Sequence, residues 1–198
     1  MSKIEIVNRA LIKLGEPPIS SLSDAAFGKT YEVIYEDIKN LLLASYPWRF
    51  AVALKRLAQC AEKFGECFMY RLPTDFLLLV KVFGAGNLSL VDVHLQALTG
   101  YEIVNQAIIV NHSDGVVIEY VQNVDDDDLF PALFREALAA KIAAELAMRL
   151  KHDLNIKQVF DNEFYNLIRQ AELNNEIEKD AEILPDSSWV SVRENWSF

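Results

Sequence analysis

Ala44-Ser45-Tyr46-Pro47-Trp48-Arg49-Phe50-Ala51-Val52 is the stretch on which the reading of this chain turns. Upstream of it, Phe27, Tyr31, Ile34, Ile38, Leu41, Leu42 and Ser45 recur at spacings of four and three. That spacing puts one apolar stripe on one face of a helix. Pro47 ends the helix, because its ring removes a backbone donor and pushes Tyr46 out of the α region. Trp48 and Phe50 follow at once. Two large aromatics this close to a helix end bury much apolar surface and fix the direction in which the chain leaves. Pro47, Trp48 and Phe50 therefore read as a structural signature, a corner of the core with no catalytic group in it.

On the N-terminal side, Ile4, Val7, Leu11 and Leu14 predict a short amphipathic helix. Gly15 suits a left-handed cap, and Pro17-Pro18 forbids continuation. Ser23 or Asp24 is placed to cap the second helix, expected from about Ala25 to Tyr46. Phe50 to Ala61 fits either a short helix or an extended return.

On the C-terminal side the pattern turns to strands. Cys67 to Leu72 ends at Pro73, and Phe76 to Phe83 is apolar except for Lys81. Tyr101 to Val104, Ala107 to Val110 and Val116 to Val121 are separated by turn residues, Asn105-Gln106 and Asn111 to Gly115. Leu90, Val91, Val93 and Leu95 could add one more strand. A small antiparallel sheet or barrel of roughly five or six strands is expected, a common size.

Asp125 to Asp128 closes this region. Successive carboxylates cannot all face one ion, and the alternating ligands of a calcium loop are missing, so the run reads as favouring the positive end of the next helix. That helix is expected from about Leu129 to Leu150, with Pro131 in its first turn. Phe134, Leu138, Ile142 and Leu146 fall four apart amid alanines, as in the central helix of a bundle. Lys141, Glu145 and Arg149 can pair along one side. A last helix follows from about Leu154 to Ile177, with Ile156, Phe160, Phe164, Leu167, Ile168 and Ala171 on its face.

The expectation is an α+β chain. Three to four long helices form a bundle, with a small antiparallel β domain inserted between the second and third long helices. In residue terms, 1–62 and 125–180 make the bundle, 63–124 the insert and 181–198 a C-terminal extension. That extension has no helical period but carries Trp189, Trp196 and Phe198. Aromatics in such a segment are candidate anchors for a partner surface.

Of the 198 residues, 52% are hydrophobic and 24% charged, enough for a substantial core. A net charge of −10 disfavours a tight clamp on duplex DNA, which needs Lys and Arg to neutralise phosphate. It also leaves no polybasic patch for an anionic membrane. The opening residues lack a long apolar run, so no signal peptide is expected. Cys60 and Cys67, six residues between them, match neither a zinc pattern nor a disulfide framework. His94, His112 and His152 are not spaced as metal ligands, and Gly84-Ala85-Gly86 stops short of a phosphate-cradling loop. The reading therefore assigns no catalytic residue, no cofactor and no metal.

Three motifs go further in combination. They are Asn8-Arg9-Ala10-Leu11-Ile12-Lys13-Leu14-Gly15 near the start, Pro47-Trp48-Arg49-Phe50-Ala51 at the corner, and Tyr70-Arg71-Leu72-Pro73-Thr74-Asp75 in the β region. An alanine-rich helix carrying Phe134 follows them. In this order and at these distances the chain resembles, over essentially its whole length, the tail tubular protein A family of short-tailed bacteriophages. The resemblance implies a head-to-tail adaptor of the virion neck, assembled in the host cytoplasm. Such adaptors form a ring, typically dodecameric, between the portal protein and the tail nozzle protein, retain packaged DNA and let it pass as cargo. By position, Trp189, Trp196 and Phe198 would be the portal anchors. The competing reading is a soluble, non-enzymatic binding or chaperone-like protein acting through its β insert or its aromatic tail.

Overall fold

The computed structural model describes residues 2–23, 28–85 and 96–180. Helix α1 spans Lys3–Lys13. The Ser2 amide donates to the Glu5 carboxylate at 2.9 Å, which satisfies one free donor at the helix start. Gly15, at φ 71°, turns the chain out of it. Helix α2 spans Gly28–Ser45. Pro47 ends it as expected, and the segment left open resolves into a 3-10 turn, Arg49–Ala51, followed by β1, Val52–Arg56, and β2, Ala58–Phe64. Then come β3 (Cys67–Arg71), β4 (Phe76–Gly84), β5 (Gln96–Ala97), β6 (Tyr101–Val104), β7 (Ala107–Val110) and β8 (Val116–Gln122). Helices α3, Ala132–Leu150, and α4, Leu154–Asp180, complete the described chain.

The strands form two four-stranded antiparallel sheets, ordered β1-β8-β4-β5 and β2-β3-β7-β6. The chain crosses from one to the other at Leu57, whose amide donates to the Val116 carbonyl at 2.8 Å. Strand β8 is central to the first sheet and buried on both faces. Val116, Ile118 and Tyr120 point into a core shared with Leu57, Tyr70, Leu72, Ile108 and Val110. Val121 points the other way, into the helical core. This two-sided burial explains the unbroken apolar run in its sequence.

The expected helical bundle carrying a small inserted β domain is not what forms. Val121 and Val124, with the partly buried Val52, Leu77, Leu78 and Val80, belong to the same core as Trp48, Leu138 and Ile142. The helices therefore close on a sheet face, and the second sheet covers that sheet's other face. The reason is that β8, by its period-two alternation, and β4, through two register irregularities, both supply apolar residues to the two sides. Strand pairing also starts earlier than the composition change suggested, with Val52 opposite Val121.

Within the helical layer, Phe134, Leu138, Ile142 and Leu146 of α3 are buried together with the intervening alanines. Those small side chains let α1 and α4 approach closely. The acidic run plays a different part from the one expected. Asp126 caps a separate 3-10 turn, Asp127–Leu129, by accepting from the Asp128 amide at 3.0 Å. Asp127 accepts from the Tyr35 hydroxyl on α2. Helix α3 begins three residues after that turn ends, with Pro131 at its N-cap. The possible strand around Leu90 to Leu95 and the Asp24 cap fall outside the described residues.

Candidate functional site

The corner quoted first also borders a concavity. Trp48 is only 1% exposed, and its indole N–H donates to the Leu42 carbonyl at 2.8 Å, closing the end of α2. Its ring meets Tyr46 at 5.0 Å and Phe134 edge-on at 5.1 Å. Phe50 continues the cluster, edge-on to Phe134 at 5.0 Å and to Phe130 at 5.6 Å. These separations and tilts suit the quadrupoles of the rings.

The last turns of α4 lie across this cluster. On its inner face Phe164, Ile168, Ala171 and Asn175 follow at spacings of four, three and four. Asn175 is the buried polar member. Its Oδ1 accepts from the Arg49 amide at 2.8 Å, and its Nδ2 faces the Pro47 carbonyl at 3.4 Å. Next to it, the Tyr46 hydroxyl donates to the Glu176 carboxylate. Burial first, and then that hydrogen bond, pushes the Tyr46 phenol up to about 12.

Two hollows flank Asn175. One, of about 180 Å³, is lined by Trp48, Phe50, Pro131, Ala132, Leu133, Phe134, Ala171, Asn174, Asn175 and Glu178. It is smaller than most ligand pockets, and its lining is mostly apolar. The other, of about 310 Å³, brings Arg49, Lys81, Glu119 and Glu176 around Pro47, Val52 and Val80. The first can hold apolar or aromatic groups, with amides at its rim to orient them. It presents no nucleophile beside a base.

A charged cluster ties the helices together elsewhere. Lys39 of α2 is 3% exposed and pairs with Glu36 at 2.9 Å, and Glu36 also pairs with Lys3 of α1. Burial works against the Glu36 charge, but the hydrogen bonds from Lys3 and Lys39 outweigh it and hold the carboxyl below its ordinary value. This is a clamp between α1 and α2, with buried charges paired as they must be.

The residues that could carry chemistry do not converge. Among the described residues no group of three or more His, Cys, Asp or Glu is arranged to hold a metal ion. Cys60 and Cys67 are free thiols on β2 and β3. His152 sits in the turn between α3 and α4, and the buried His112 Nε2 lies against Gly84. His94 is outside the described residues. No helix among the described residues is long and apolar enough to cross a membrane.

Of the sequence-selected residues, Pro47, Trp48 and Phe50 stand around the two hollows, whereas Trp189, Trp196 and Phe198 are outside the described residues. Sequence reading placed Pro131 and Phe134 in the third long helix but did not assign them, Ala132, Leu133, Asn174, Asn175 or Glu178 to a site. One signal was available, since Asn175 continues the apolar stripe of α4 as a polar residue. No family model matches the chain, and no curated protein matches it.

Proposed function

We propose that the chain is a structural, non-enzymatic head-to-tail adaptor of a short-tailed phage, forming a ring between portal and tail nozzle. The observation that carries this reading is the joint occurrence, in order, of the Asn8–Gly15, Pro47–Ala51 and Tyr70–Asp75 motifs. In the fold each motif makes a packing or hydrogen-bond contact between elements. Leu11 and Leu14 belong to the helical core that α1 shares with α3. Trp48 closes α2 onto Phe134. Tyr70 donates its hydroxyl to the His112 carbonyl at 2.7 Å, and Asp75 accepts from Tyr120 at 3.2 Å. The net charge of −10 is in keeping with a wall past which DNA slides without sticking. Ring contacts between copies are head-to-tail and repeat around a closed circle. In this reading the aromatic residues of 181–198 engage the portal. Co-sedimentation with portal rings encoded in the same genome tests it.

The exposed edge strand Tyr101–Val104, with Tyr101 39% and Ile103 44% exposed, favours a second reading, a non-ring binding protein that adds a partner strand there. A one-to-one complex with a soluble partner, and no ring on the portal, would distinguish it.

A further inference from the structure

We infer that the groove between the Trp48 corner and the end of α4 is a receptor for the chain's own aromatic segment, residues 181–198, with a tryptophan of that segment as the inserted group. The argument starts from where the described chain ends. Asn174, Asn175 and Glu178 line the groove, and α4 ends at Asp180. The groove mouth is thus within about 9 Å of the helix end, at 1.5 Å per residue. Trp189 is nine residues past Asp180. An extended chain covers ~3.3–3.6 Å per residue, so Trp189 reaches the mouth with ample slack for a reversal.

The lining suits an indole. The accessible part of the lining is Phe50, Pro131, Ala132 and Leu133, seated over the buried rings of Trp48 and Phe134. A buried indole needs an acceptor for its N–H. Asn174, exposed on the rim, brings a side-chain carbonyl, and the Oδ1 of Asn175 has a second lone pair beyond the one facing Arg49. Arg193, between Trp189 and Trp196, is the single cation of a segment that also carries Glu182, Asp186 and Glu194, so the apolar lining and the tether favour insertion and charge does not. A short tether also gives the segment a local concentration in the millimolar range, which a separate copy matches only at high protein concentration.

This stowage goes beyond the adaptor reading and does not depend on it. If the adaptor reading holds, the portal competes with the groove for the same aromatics, and the free subunit keeps them covered until it docks.

The test uses the full-length chain at low micromolar concentration with a photo-crosslinking benzoylphenylalanine in place of Ala132, an exposed groove residue. A second chain carries it in place of Asn174. After irradiation, peptide mass mapping of the band at single-chain mass is expected to join the labelled position to a peptide containing Trp189 or Trp196. Trp189→Ala together with Trp196→Ala is expected to cut that yield at least tenfold. Cross-links to 181–198 only at twice the chain mass, or none to that segment from either position, would overturn the inference. Portal binding is scored separately. A chain that cross-links internally but ignores the portal would keep the stowage and remove the adaptor reading.

Discussion

Asn175 of α4 accepts a hydrogen bond from the Arg49 amide at 2.8 Å, joining residues 126 apart in sequence at the corner where α2 gives way to the first sheet. The partner amide belongs to the 3-10 turn that steers the chain from the helical layer into β1. One side chain thus fixes the seam between helix and sheet, and it also separates the two hollows. Replacing Asn175 with Ala should cost about 1–3 kcal/mol, since the site is 7% exposed and its polar partners lose their match. Urea unfolding measures this. A midpoint equal to that of the unmodified chain would show that Asn175 does not hold the seam.

Trp48 should be the more expensive residue to lose. Trp48→Ala removes a fully buried ring and its bond to the Leu42 carbonyl, a change expected to destabilise by about 3–5 kcal/mol. Trp48→Phe keeps most of the packing and should lose less. Thermal melts that rank the two variants in the opposite order would contradict the packing described.

Acid should loosen the clamp between α1 and α2. Glu36 is held below its ordinary value of 4.5. A carboxyl depressed in the folded state contributes stability that is present above its unfolded value and is lost as pH falls through the folded one. Glu36→Gln should therefore be the less stable chain at pH 7, with the difference shrinking below pH 4.5. A difference that stays constant from pH 7 to pH 3 would exclude the linkage.

Alkali should act at the corner. Tyr46 rises from 10.0 to about 12 on folding, so its contribution is present below pH 10 and is lost as pH climbs through about 12. Tyr120, bonded to Asp75, is raised to about 12 as well. Tyr46→Phe should lessen the loss of stability between pH 10 and pH 12, read by far-ultraviolet circular dichroism.

The N-terminal helix, the stop at Pro47 and the strands at Cys67–Arg71, Phe76–Gly84, Tyr101–Val104, Ala107–Val110 and Val116–Gln122 were legible because local spacing and turn residues determine them, whereas β1, β2 and the short β5 were not read as strands. The layer order was not. An alanine-rich helix such as α3 reads as the centre of a bundle whether its neighbours are helices or a sheet. Only the two-sided burial of β8 shows that a sheet serves as one wall of the helical core. The acidic run was read as opening the next long helix because its length and position fit. The hydrogen bond from Tyr35 to Asp127 spans 92 residues, a long-range contact that local spacing does not encode. At the corner, Trp48 and Phe50 could be selected as large aromatics beside a helix stop. The rest of the groove comes from the distant segments 131–134 and 171–178, which meet only after folding.

The central claim is most directly tested by mixing the purified full-length chain with portal rings encoded in the same genome and sedimenting the mixture. Mass per ring and negative-stain images give the readout. The adaptor account predicts saturable binding at one copy per portal subunit, with a second ring visible below the portal. It also predicts that a chain lacking residues 182–198 folds but binds more weakly. A well-behaved protein that stays in the supernatant at every ratio would contradict it.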